Sequence, residues 1–211
     1  MMLSEFFAQV VNRLDKKKVK YALAGGLVAS IYRQSARATQ DIDLAIFSHE
    51  ASEVIAKEII KSFGLKFHLL RKADLEGGPM FAIKKRSTPV WIIAGRGDTD
   101  QNSETRIGLD FIMPAVPWVL HAIERAQYNK IDFGFARVPC LTIEDFIISK
   151  FFSLKNQQTR FMDLDDLREV FIAKHQLELE YICEQMIDLK LRVPEPVRDF
   201  APAILNSVDL N

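Results

Sequence analysis

Cysteine and histidine are scarce in this chain, with two of the first and four of the second among 211 residues. Cys140 and Cys183 lie far apart and lack metal-site spacing, which suits a reducing compartment better than a disulfide framework, and both read as buried thiols. His49, His68, His121 and His175 share no spacing, so a histidine metal site or a histidine-based nucleophilic triad has little support. Net charge is missing too. Against 28 acidic residues stand 28 basic ones, and the pI is near 6.9. Bulk electrostatics therefore provide no strong attraction to nucleic acid or membrane, and any basic patch must be local. No uninterrupted apolar run approaches the roughly 18 residues that span a bilayer, and the N-terminal MMLSEFFAQVVNRLDKKK lacks a basic segment followed by a long apolar stretch. A soluble, cytoplasmic protein with no membrane partner is the expectation. Internal repeats and low-complexity segments are also absent. Apolar residues are plentiful at 48%, enough to bury a core in one large domain or two small ones.

Periodicity divides the chain into two styles. Phe6, Phe7, Val10, Val11 and Leu14 recur at helical spacing after Ser4, a candidate cap, and the helix ends near the lysine run at 16–18. Val19–Leu23 then reads as a strand, Gly25-Gly26 as a turn, Leu27–Gln34 as a helix and Asp41–Phe47 as a second strand, a first βαβ unit. A helix through VIAKEIIKSF stops at Gly64, and strand-like segments follow at about 66–71, 79–85, 89–94 and 106–113, a meander separated by EGGP, RSTP and GRGDTDQNS. From Pro117 helices dominate: PWVLHAIERA, TIEDFIISKFFSLK, MDLDDLREVFIAKH and LELEYICEQMIDLK. Thr142 and Asp145 resemble a capping box with Asp in place of Glu or Gln. The expected class is α+β, with an αβ core and β-rich insertion over 1–116 and a mainly helical region over 117–211.

The chemistry concentrates between Leu23 and Leu44. A glycine pair after a strand and before a helix lets backbone approach a ligand, and the helix N-terminus presents N–H groups and partial positive charge to a phosphate. Sixteen to eighteen residues on, Asp41 and Asp43 sit one residue apart in an apolar run. On a strand, residues i and i+2 project to the same side, so the two carboxylates share a face and repel unless a divalent cation sits between them. Arg37 and Thr39 lie just before. The guanidinium of Arg37 has two uses there: contact with phosphate, or pairing with Asp41 or Asp43, of which the second is the favoured reading.

Together these features resemble the signature of the nucleotidyltransferase superfamily related to DNA polymerase β: a hydrophobic residue, Gly, Gly or Ser, a gap, then Asp-hydrophobic-Asp. The run Arg37-Ala-Thr39-Gln-Asp41-Ile-Asp43-Leu44 is similar to the branch holding AbiEii-type toxins and related bacterial nucleotidyltransferases. Gly26 stands where other members carry serine, so a serine hydroxyl on the phosphate does not carry over. The resemblance implies a polymerase β-like mixed sheet flanked by helices and a third carboxylate on a neighbouring strand. Asp110, in Arg106-Ile-Gly-Leu-Asp110-Phe-Ile-Met, is the candidate: Ile107, Leu109 and Phe111 take one face, leaving Asp110 on the other beside Gly108, whose missing side chain leaves room for metal or nucleotide. Its competitors Asp74, Asp98 and Asp100 lie in turn-like segments, and Asp132 precedes a glycine. In the helical half, Lys150 and the Arg160-Phe-Met-Asp163-Leu-Asp-Asp166 run are similar to the branch's Lys and Arg-x-x-Asp-x-x-Asp pattern. Lys150 and Arg160 are thereby implied on the nucleotide phosphates, with Asp163 and Asp166 favouring a helix N-terminus and orienting the two cations.

The activity implied is transfer of a nucleoside monophosphate from a nucleoside triphosphate to an acceptor hydroxyl, with Asp41, Asp43 and Asp110 as catalytic and metal-binding residues for two Mg²⁺ or Mn²⁺ ions. Gly25, Gly26, Arg37, Thr39, Lys150 and Arg160 are the implied nucleotide-binding residues. The acceptor stays open among a tRNA end, a protein and a small molecule, and a cognate antitoxin or other partner protein is implied by the toxin branch. The competing reading is a nucleotide-binding or regulatory protein on the same fold without turnover.

Overall fold

The computed structural model describes residues 2–48, 51–71, 90–97 and 107–210. It opens with α1 (Leu3–Lys16), β1 (Lys20–Ala24), α2 (Gly25–Tyr32), β2 (Asp41–Phe47), α3 (Ser52–Ser62), β3 (Lys66–Arg71), β4 (Val90–Arg96) and β5 (Gly108–Ile112). Then come α4 (Pro117–Ala126), β6 (Lys130–Asp132), β7 (Arg137–Pro139), α5 (Ile143–Asn156), α6 (Phe161–Ile172), α7 (Leu179–Asp188), a 3₁₀ turn (Glu195–Val197) and α8 (Ala203–Asn206). The chain separates into two compact units, one of residues 1–27 and 38–141, the other of 28–37 and 142–211.

In the first unit α1 buries Phe6, Phe7, Val10, Val11 and Leu14, the five residues its spacing marks. Its N-cap is Met2 rather than Ser4, because Glu5 reaches back to accept the Met2 N–H at 3.1 Å. Five strands form a mixed sheet in the order β1-β2-β5-β4-β3. Strands β3, β4 and β5 are successive antiparallel neighbours, the expected meander, and β5 joins β2 in parallel. One face of the sheet is fully apolar: Leu23, Ile42, Leu44, Ile93, Leu109 and Phe111 are solvent-inaccessible. Helix α3 covers part of it, since a Cβ on Gly95 would stand 3.0 Å from the Ile60 side chain. The expected strand at 79–85 lies outside the described residues.

Two expectations about chain path change. Strands β1 and β2 pair antiparallel, with Lys20 opposite Phe47 and Ala24 opposite Asp43, so β1-α2-β2 is not a parallel βαβ unit. Antiparallel pairing is what sets the end of β1 beside the start of β2; a parallel pair would leave them at opposite ends of the sheet. The glycine pair, read as a turn, forms the first two residues of α2. Between α4 and α5 the chain inserts the hairpin β6-β7, whose turn is held by the Gly134 N–H donating to Asp132 Oδ1 at 2.7 Å. Asp132 is therefore a turn-forming acid.

The second unit is helical. Helix α5 packs against α6 and α7 and buries Phe146, Ile147, Ile148, Phe151 and Leu154. Thr142 caps it, accepting the Asp145 N–H at 3.3 Å and donating its hydroxyl to Asp145 Oδ2 at 3.0 Å. Among the described residues no helix is long and apolar enough to cross a membrane.

Candidate active site

Register brings the acids together. Asp43 on β2 lies opposite Asp110 on β5, and Asp41 lies opposite Gly108, so alternation sends Asp41, Asp43 and Asp110 to the face opposite the apolar one. Leu109 and Phe111 are inaccessible while Asp110 is half-buried, as its strand pattern requires. Two glycines seat the carboxylates. Gly25 has φ 60°, a left-handed conformation, and a Cβ there would fall 1.8 Å from Asp43 Oδ2. On Gly108 a Cβ would fall 2.0 Å from Asp41 Oδ1 and 2.9 Å from an Arg96 Nη. The room at Gly108, expected to serve metal or nucleotide, is taken by Asp41 and Arg96.

Gly26 has a different neighbour. A Cβ there would lie 2.6 Å from Thr39 Oγ1 and 2.8 Å from Thr39 Cβ. The Thr39 hydroxyl also donates to the Asp41 carbonyl at 3.3 Å and accepts the Asp41 N–H at 3.4 Å, fixing the entry into β2. A serine at position 26 would run into Thr39, which explains the departure from the Gly-Ser form.

Arg96 was not anticipated. It is the last residue of β4, two beyond Ala94, which faces Asp110, so it lies on the acid face. Its two Nη groups grip both Asp110 oxygens, one at 2.9 Å and the other closer. The hydrogen bonds to Asp110 raise the Arg96 pKa above its ordinary value against the opposing effect of burial, aided by the charges of Asp110, Asp41 and Asp43. Strand alternation from Ala94 would have pointed to it; the reading as turn chemistry hid it.

The second charged cluster lies wholly in the helical unit. Lys150 Nζ reaches Asp163 Oδ1 at 2.5 Å and Asp166 Oδ2 at 2.8 Å, and the Arg160 Nε–H donates to Asp163 Oδ2 at 2.5 Å. Asp163 and Asp166 thus orient both cations. Lys150 is buried and Arg160 exposed. Arg37 pairs with Asp166, not with Asp41 or Asp43. Arg33, on no sequence motif, bridges Asp166 at 2.5 Å and Asp165 at 2.8 Å; burial works against its charge, but these hydrogen bonds hold its pKa above the ordinary value. The Nε atoms of Arg33 and Arg37 are buried without a hydrogen-bond partner among the described residues. The cysteines take no part: Cys140 is buried and its thiol pushed up to about 12 by desolvation, whereas Cys183 is half-buried rather than buried.

As donors, three carboxylates on adjacent strands suit a hard, oxygen-seeking ion such as Mg²⁺. Among the described residues no three Asp, Glu, His or Cys side chains are drawn close enough to clasp an ion, and Arg96 engages both oxygens of Asp110.

Asp43 and Asp110 thus face one another across β2 and β5, next to a helix opened by Gly25. A family model described as nucleotidyl transferase AbiEii toxin, type IV TA system, matches residues 9–196. The chain belongs to that family, and with it to the nucleotidyltransferases. Similar solved structures include an antigenic nucleotidyltransferase-like protein from Paracoccidioides brasiliensis, 17% identical over 92% of this chain and 79% of that one, with a TM-score of 0.46. Another is a protein from H. pylori provisionally named a nucleotidyltransferase, 17% identical over 99% of this chain and 86% of that one, TM-score 0.47. No curated protein matches significantly. The family assignment rests on the family model.

Proposed function

We propose that the protein transfers a nucleoside monophosphate from a nucleoside triphosphate to an acceptor hydroxyl, with Mg²⁺ held by Asp41, Asp43 and Asp110, as the toxin of a toxin–antitoxin pair. The observation that carries this reading is the register: Asp43 opposite Asp110, Asp41 two residues back on the same face, Gly25 against Asp43. Bound there, the metal would neutralise the triphosphate and lower the pKa of the acceptor hydroxyl. The chain's own groups orient and hold. Gly25 and Gly26 bring the first turn of α2, with the positive end of its dipole, beside the acids, where a phosphate is attracted. Thr39 holds the backbone of Asp41 and so aims the acidic strand. Arg96 grips both oxygens of Asp110, so a metal ion or acceptor hydroxyl would share that carboxylate with the guanidinium or displace it.

The resemblance also assigns Lys150 and Arg160 to the phosphates. Both hold Asp163, so a phosphate contact by either would be made at the expense of that pairing. Arg37 stands in the same position toward Asp166. The cognate partner proposed is an antitoxin, and the acceptor belongs to the target that the toxin modifies.

Incubation with Mg²⁺, each α-³²P-labelled nucleoside triphosphate and cell extract tests the reading. Wild type is expected to label an acceptor and release pyrophosphate. The pair Asp41→Asn and Asp43→Asn is expected to reduce labelling at least about 10³-fold, by loss of metal-based charge stabilisation, while retaining a cooperative thermal transition. Equal labelling by that variant, or no triphosphate binding by wild type in calorimetry, overturns it.

A further inference from the structure

The acid set already has a cation of its own. Arg96 closes β4, and its guanidinium spans both oxygens of Asp110, one contact measuring 2.9 Å. One of its Nη atoms also donates to the Gly95 carbonyl at 2.9 Å, which fixes the side chain back along its own strand. The same nitrogen stands 2.9 Å from the point a Cβ on Gly108 would occupy, and Asp41 Oδ1 stands 2.0 Å from it, so guanidinium and second carboxylate converge over one glycine. Arg96 is 41% exposed at its side chain and Asp110 15%, so the pair is a lid on the acid face, open to water on one side.

Both in-plane oxygens of Asp110 are committed to the guanidinium, and a divalent ion would need at least one of them. A divalent ion must therefore overcome both the arginine's charge and its hold on Asp110. We propose that Arg96 is the internal counter-ion of the acid set and sets its affinity for divalent cations by competing with them for the Asp110 carboxylate. The inference rests on the metal-binding reading of Asp41, Asp43 and Asp110 given above. Arg96 acts through Asp110 and is a positioning residue.

Binding of Mn²⁺ to wild type and to Arg96→Gln, followed by the electron paramagnetic resonance signal of the free ion at fixed pH and ionic strength, tests it. Arg96→Gln is expected to bind about three- to fivefold more tightly, the scale of one exposed charge-assisted pair removed, and Arg96→Lys, which keeps the charge but not the fork, is expected to fall between. In EDTA the Gln variant is expected to melt below wild type and to gain more in Tm from Mn²⁺, because only binding to the folded state stabilises. Wild type alone supplies a second readout. An arginine-specific dicarbonyl reagent, with peptide mass mapping, is expected to modify Arg96 faster when Mn²⁺ is present, since the released guanidinium becomes reactive. Equal or weaker Mn²⁺ binding by Arg96→Gln, or Mn²⁺ binding by wild type with no change in Arg96 modification, overturns the counter-ion role while leaving the metal-binding reading standing. Absence of Mn²⁺ binding in both proteins overturns the two together.

Discussion

In the first unit Asp41, Asp43 and Asp110 are half-buried and Arg96 grips Asp110, whereas in the second Asp163 and Asp166 are buried and, among the described residues, met by Arg33, Arg37, Lys150 and Arg160. The first cluster is partly open to water. In the second, buried acid and buried base compensate, because an unpaired charge away from solvent is costly. A partly exposed acidic cluster is suited to taking up a ligand of opposite sign, and a buried, compensated one to holding helices in place. Lys150 belongs to the second kind of surroundings: Asp163 and Asp166 pair with it from the next helix.

Removing Asp166 should separate the clusters most sharply. Asp166→Ala leaves Arg33, Arg37 and Lys150 without a shared buried acceptor, and a loss of about 3–5 kcal/mol is expected in urea denaturation, far more than for Asp43→Asn, which relieves repulsion. Next in size is Gly25→Ala. The left-handed φ and the overlap with Asp43 make about 2–3 kcal/mol the expected loss of stability, and displacement of Asp43 should lower nucleotide transfer more than Asp166→Ala does at a temperature where both variants are folded. The smallest effect expected is from Gly26→Ser, about 1–2 kcal/mol of overpacking against Thr39. Combining it with Thr39→Gly should recover most of that in Tm measurements, since the two positions share one space; strict additivity of the two changes would show that they do not.

The fold was readable where periodicity is strong. The apolar stripe of α1, the Asp41–Phe47 strand and the four later helices follow directly from the spacing of their apolar residues, as does the placing of Asp110 on the face opposite Leu109 and Phe111. Strand direction is not readable, because a period of two is the same for parallel and antiparallel neighbours, and the β1-α2-β2 order does not reveal the antiparallel pairing. Among the site residues, Asp41 and Asp43 announce themselves by lying on one strand. Arg96 does not, since its meaning comes from Asp110 on another strand fourteen residues away. The acids nearest Arg37 in sequence are Asp41 and Asp43, but its partner, Asp166, is 129 residues distant.

What the sequence determined by itself is local: which residues share a face, which helices are apolar on one side, where glycine permits close approach, and membership of a family through motifs confined to short runs. The tertiary structure alone decided which charges meet. The antiparallel return of β2 sets Asp43 on Gly25, the parallel pairing with β5 sets it opposite Asp110, and β4 delivers Arg96 to the same face. Coulomb energy depends on distance in space, and spacing along the chain reports that distance only within a strand or a helical turn.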